Sequence, residues 1–246
     1  MWYNNIIEIS LSYTYSEVIN SKHRREYSMR RSYYLILDTE TYGGFQTPIV
    51  YDIGMAIIDK KGKIYAKYSF VIDETFYSKE AETAYYASKF PMYHEDIEKG
   101  KRKVVSWECV RYIANELYKR YNCKGVVAHN AKFDNTSTDN TTKHLELGES
   151  FFTVPVIWYD TLQMAADTIG KQKAYEMFCK RNNYLTKFGQ PRLTAEILYR
   201  YITGKEDFIE SHTGYEDILC EKVIFAHCIR QHKKMRTSFF NFSYRH

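Results

Sequence analysis

The sequence predicts an α/β domain, a mixed sheet flanked by helices, and three observations point to it. Short runs rich in Ile, Val and Tyr fill residues 33–73, amphipathic helical spacing begins after Ser106, and strand and helix signals then alternate. A composition of 44% hydrophobic and 26% charged residues over 246 positions suits one soluble core. With 4 prolines, 11 glycines and 17% aromatic residues, the chain has neither a linker-like nor a disordered composition.

YYLILD at 33–38 is an apolar run ahead of turn signals at Gly43 and Gly44, as expected of a strand buried on both faces. Segments 49–59 and 64–73 read as a hairpin joined through KKGK, where Gly62 suits the turn. Ser106 can cap a helix reaching about Tyr121, because Trp107, Val110, Ile113, Ala114 and Leu117 share one helical face. Gly125 then leads into a short strand, VVA. For NTSTDNTTK at 135–143, poor helix formers favour a loop, whereas the place in the alternation suggests a helix; both readings stay open.

Segment 154–159 reads as a fifth strand, and Asp160 with Gln163 as a capping arrangement for the helix containing Met164 and Ala165. A further helix is expected over about 171–181. Thr213 with Glu216 makes a capping-box pattern that opens a last helix, running through Ile218, Leu219, Val223 and Ile224 to about Lys234. Residues 1–28 form an extension of undecided structure, 29–235 the domain, and 236–246 a tail. That tail alternates basic and aromatic side chains, which could stack on bases but is expected to pack on its own domain.

The net charge of +5 is unevenly placed, with basic clusters at 22–25, 30–31, 99–103, 180–181 and 233–236. Such clusters could attract a polyanion, yet solvated faces are the plainer expectation, so charge alone does not establish nucleic-acid binding. Five cysteines without a CxxC pair predict reduced thiols, and Cys228 with His232 offers at best half a zinc site. There is no run of 18 apolar residues, and residues 1–15 carry Glu8 without a signal-peptide pattern, so no membrane role and a cytoplasmic location are expected.

Asp38 and Glu40, two residues apart on a strand, project from the same face. At about 4 Å and an effective dielectric near 20, such a pair repels by roughly 4 kcal/mol, which protonation, a basic partner or a bound cation relieves. Oxygen-only ligands favour Mg²⁺ or Mn²⁺. The competing reading is that the strand has already ended and both acids point into water. Two further acids recur at the ends of other elements, Asp134 after VVAHNAKF and Asp217 in the first turn of the last helix.

DTE at 38–40, HNAKFD at 129–134 and HTGYED at 212–217 resemble, in order and approximate spacing, the three motifs of the DnaQ-like, DEDDh 3′ to 5′ exonuclease superfamily. DTL at 160–162 resembles a lesser signature, and the likeness spans about residues 33–230. It implies a ribonuclease H-like mixed sheet, antiparallel hairpin strands first and parallel strands after. It also implies that Asp38, Glu40, Asp134 and Asp217 hold two Mg²⁺ or Mn²⁺ ions and that His212 is the general base. His212 stands five residues before Asp217, as the histidine variant requires, while Thr213 occupies the place a catalytic tyrosine would take. Thr39, Thr41, Gly43, His129 and Asn130 are the implied substrate-binding positions, His129 more as an orienting residue. Asp160 is expected to cap a helix rather than bind metal. Tyr42 departs from the family pattern, where a second threonine is common, and leaves the shape of the terminal-nucleotide subsite open.

The implied activity is metal-dependent removal of 5′-mononucleotides from the 3′ ends of nucleic acid, single strands and DNA ahead of RNA. Two other classes fit the same residues: a non-catalytic nucleic-acid-binding module, and a phosphodiesterase for very short oligonucleotides. The length leaves no room for a polymerase, so proofreading would need a polymerase or replication partner in trans. Some bacteriophages encode small standalone proteins of this type, which makes a phage or bacterial source consistent with the resemblance.

Overall fold

Strands β1 (Tyr33–Tyr42), β2 (Ile49–Asp59) and β3 (Ile64–Ile72) form an antiparallel meander. β4 (Lys103–Val105) pairs parallel with β3, while β5 (Val126–Ala128) and β6 (Trp158–Asp160) extend the opposite side parallel to β1. The order across the sheet is therefore β4-β3-β2-β1-β5-β6. This computed structural model describes residues 31–44 and 46–241, so the expectation for residues 1–28 lies outside the described residues. The helices are α1 (Asp73–Phe76), α2 (Phe90–Glu98), α3 (Trp107–Arg120), α4 (Ala131–His144), α5 (Thr161–Asp167), α6 (Lys173–Arg181), α7 (Ala195–Thr203) and α8 (Gly214–Arg230). None among the described residues is long and apolar enough to cross a membrane.

Alternation along β1 divides the core. Tyr34 and Ile36 face a cluster built with Leu162, Leu198, Ile224 and Phe225, from α5, α7 and α8. Leu35 and Leu37 face the other way, onto Trp107, Val110 and Ala131 from α3 and α4. Ser106 caps α3 as expected, its hydroxyl accepting the Cys109 amide at 3.2 Å.

Several boundaries differ from the sequence expectation. β1 continues past Asp38 because, after a bulge at Glu40/Thr41, Thr41 and Tyr42 still pair with Val50 and Ile49. The DTE acids therefore belong to the sheet and not to a frayed strand end, which removes the reading in which both point into water. The fifth expected strand shrinks to 158–160, since Pro155 has no amide to give a ladder. α8 ends at Arg230, so His232 falls beyond the helix with a left-handed φ of 52°, and the half zinc site with buried Cys228 does not form. β4, α1, α2 and α7 had no counterpart in the expectation.

The ambiguous segment 135–143 is helical. Ser137, Thr138, Thr141 and Thr142 are buried, and their hydroxyls donate to carbonyls one turn back at 2.7–2.8 Å. A hydroxyl that bonds its own helix needs no water, so a polar helix can be packed inside. Two of these hydroxyls also accept from outside the helix, Thr141 from the Val50 amide and Thr142 from the Trp107 indole.

The contact that brings the last helix to the sheet has no side chain in it. A Cβ on Gly54 of β2 would lie 2.2 Å from the Gly214 carbonyl carbon, and one on Gly214 would lie 3.0 Å from the Asp38 carbonyl oxygen. Gly54 is the cross-strand partner of Asp38, so α8 begins directly over the first acid. We expect Gly54→Ala to cost about 1–3 kcal/mol, as overpacking does where backbone must move. A urea midpoint equal to wild type would show that α8 can lift without penalty.

The described part of the tail packs on the domain. Phe240 is buried, and its amide donates to Asp160 at 2.8 Å, while Arg236 pairs with Asp167 at 2.9 Å.

Candidate active site

Asp38 and Glu40 leave β1 on the face that α8 covers, and Asp217 descends from the first turn of α8. Each offers a carboxylate oxygen within 4.8 Å of the others. Glu40 and Asp217 are buried and Asp38 half-buried. Crowding and burial raise all three: Asp38 goes well above the usual carboxylate range, Glu40 to about 9 and Asp217 to about 6, burial being the largest cause each time. The donors are all hard oxygens whose repulsion a divalent cation relieves, so these residues fit Mg²⁺ or Mn²⁺.

Asp217 is aimed by the loop before it. Its two oxygens accept from the Ser211 hydroxyl at 2.9 Å and the Thr213 amide at 3.1 Å. Glu216 takes the Thr213 hydroxyl at 2.6 Å, so the expected capping box is redistributed between two neighbouring acids. A buried node anchors this helix start from below. Asp52 accepts from Tyr93 at 2.7 Å and from the Gly214 amide at 2.9 Å, while Arg102 reaches Glu216 at 2.7 Å and Asp52 at 3.5 Å. Arg102 thus leaves the expected solvated cluster at 99–103 and becomes an internal strut.

His212 sits at the loop end, as its place before Thr213 implied, with a left-handed φ of 50°. Its ring stacks on Tyr86 at 4.6 Å and 11°. Lys89 lies 4.5 Å over the other aromatic ring of this stack, Tyr86, and donates to the carbonyls of Ser211 and His212. Burial and the Lys89 charge lower the imidazole's pKa, which keeps it neutral and able to accept a proton near pH 7. A cleft of about 660 Å³ opens over the group, lined among others by Asp38, Glu40, His129, Glu210, His212, Asp217 and Glu221.

No protein-family model and no curated protein matches the sequence. Among solved structures, the nuclease domain of 3′hExo, a DEDDh family member, bound to rAMP, superposes with a TM-score of 0.52. It is 8% identical, over 84% of this chain and 97% of that one. The chain has the fold of that nuclease domain. Exonuclease X in complex with 5′ overhanging duplex DNA is also similar, at 17% identity over 80% of this chain and 92% of that one, with a TM-score of 0.38. The sheet, antiparallel strands first and parallel strands after, is thus the ribonuclease H-like arrangement that the motif resemblance implied.

Within this fold the other expected residues take distinct places. Asp134 is buried on α4, outside the group of three, and accepts from the Thr39 hydroxyl at 2.9 Å. The Thr39 hydroxyl, between Asp38 and Glu40 on β1, ties Asp134 to that strand, and burial lifts this acid to about 7. His129 has both ring nitrogens engaged, Nδ1 with the Thr161 hydroxyl at 2.9 Å and Nε2 with the Leu193 carbonyl at 3.0 Å. Asn130, at φ 62°, begins α4 and gives its amide to Asp160. Asp160 also accepts from the Leu162 amide, which caps α5 as expected, and from the Phe240 amide. Gly43, at φ 87°, is exposed beside half-buried Thr41. Tyr42 is buried with Tyr51, Phe76 and Tyr93, so the departure from the family pattern fills a small core beneath α2.

Sequence reasoning missed Tyr86, Lys89, Glu210 and Glu221. Only Glu221 left a signal, an acid one helical turn after Asp217 on the face of Ile218, Ile224 and Phe225. Tyr86 and Lys89 reach His212, and Glu210 reaches the cleft, only through the tertiary path of their segments.

The raised acids set the pH response of the metal-free chain. A carboxyl with a folded-state pKa above its unfolded value of roughly 4 binds extra protons in the folded state. Its contribution is full below that unfolded value and lost as pH rises through about 6 for Asp217, about 7 for Asp134 and Glu210, and about 9 for Glu40. With chelator, the thermal midpoint should therefore fall between about pH 5 and about pH 9, and Mg²⁺ or Mn²⁺ should flatten that slope. A midpoint that climbs across the window would contradict the crowding of these acids.

Proposed function

We propose that this chain is a metal-dependent 3′ to 5′ exonuclease that releases 5′-mononucleotides from single-stranded nucleic acid, DNA ahead of RNA. The observation that carries the reading is the convergence of Asp38, Glu40 and Asp217, from β1 and α8, within 4.8 Å at the floor of a cleft that His212 also lines. Support comes from the DEDDh-type fold and from the rAMP named with the 3′hExo domain, a mononucleotide of the kind this reaction would leave. The cleft's volume of about 660 Å³ lies within the range of small-ligand sites, enough to take a terminal nucleotide.

Asp38, Glu40 and Asp217, with Asp134 held by Thr39, are the residues that would hold two Mg²⁺ or Mn²⁺ ions. Such ions supply charge stabilisation to the phosphate and to the departing 3′ oxygen. His212 takes the proton of the attacking water. As that oxygen bonds to phosphorus, the bond from phosphorus to the 3′ oxygen breaks, and the terminal nucleotide leaves with a 5′ phosphate. Tyr86 and Lys89 hold the His212 loop in reach, and Thr41 and Gly43 offer backbone to the terminal sugar.

The test is a time course on 5′-labelled single- and double-stranded DNA and RNA of matched sequence, with Mg²⁺, Mn²⁺ or chelator. The expected result is a one-nucleotide ladder receding from the 3′ end, fastest on single-stranded DNA and absent with chelator. Digestion that persists in chelator, or that begins within the strand, would reject the reading.

A further inference from the structure

We infer that Glu221 is a fifth carboxylate of the cation site, a direct oxygen ligand contributed by α8 one turn beyond Asp217. This deepens the reading above and rests on it. Glu221 is not one of the motif acids, and its chemistry is hard to explain without a ligand. It is 2% exposed and lines the same cleft as Asp38, Glu40 and Asp217. One oxygen accepts the His129 amide at 3.2 Å, and the other is buried without a hydrogen-bond partner.

A buried carboxyl oxygen left unpaired is costly, and an acid in a cluster of acids more so. Glu221 and Asp217 stand four residues apart, so they rise from one face of α8. Of the acids around Asp38, Glu221 repels it most, ahead of Asp134, Asp217 and Glu40. Asp134 in turn is the acid that bears most on Glu221. A hard cation takes about six oxygens, and three from Asp38, Glu40 and Asp217 leave a place for this one.

The competing role is a brace, in which Glu221 only fixes the β5–α4 turn through the His129 amide. Glu221→Gln separates the two, because glutamine keeps a carbonyl oxygen for that amide and loses the charge. The experiment is titration of Mn²⁺ into wild type, Glu221→Gln and Asp38→Asn, followed calorimetrically, with the metal-free thermal midpoint of each as a measure of folding. The inference expects Glu221→Gln to weaken Mn²⁺ binding at least about tenfold, with a midpoint no lower than wild type. Mn²⁺ affinity within about twofold of wild type in that variant, with Asp38→Asn impaired, would leave Glu221 a brace and the exonuclease reading intact. Wild type that neither takes up Mn²⁺ nor digests nucleic acid would overturn both together.

Discussion

Asp38→Asn and Asp217→Asn should each abolish Mg²⁺-dependent digestion of a 3′-labelled single strand while raising the thermal midpoint of the metal-free chain. The two effects have one cause. The carboxylates lie within 4.8 Å of one another with little water around them, so each charge destabilises its neighbours until a cation binds. Removing one charge relaxes the folded state and takes away a ligand at once. An ordinary surface acid would give neither result, and a structural salt bridge would lower the midpoint. Full activity in either variant, with the midpoint unchanged, would take that residue out of the cation site.

His212→Ala should reduce the rate by about 10² to 10⁴ while leaving Mn²⁺ affinity near wild type, the range expected for loss of a positioned general base. The geometry explains why metal binding should survive. Asp217 is oriented by the Ser211 hydroxyl and the Thr213 amide, not by the imidazole. The ring is held instead by Tyr86, with Lys89 on the loop carbonyls. A rate loss below threefold with cation affinity intact would show that the proton leaves by another route.

The placement of Asp38, Glu40 and Asp217 in the candidate site was legible because their motifs are local. A period of two fixes Asp38 and Glu40 on one face wherever β1 lies, and Asp217 must fall in the first turn if Thr213 caps the helix. Ser106, Asp160 and Thr213 mark helix starts through hydrogen bonds within a few residues of themselves. The reach of β1 to Tyr42 was not legible, since pairing with Ile49 and Val50 decides it and not the composition of the segment. The helical state of 135–143 was not legible either. Propensity counts the hydroxyls as helix breakers, and only burial against Val50 and Trp107 makes their bonds to the preceding turn the best available.

The sequence by itself determined the α/β alternation, the identity of the motif acids and their order along the chain, because each depends on chemistry between near neighbours. Tertiary structure alone decided that Gly54 and Gly214 let α8 settle over Asp38, that the Thr39 hydroxyl holds Asp134, and that Glu221 lines the same cleft as the motif acids. These outcomes depend on how closely segments far apart in the chain can approach, 162 residues in the case of Asp52 and Gly214, and such distances follow from packing and not from spacing along the chain.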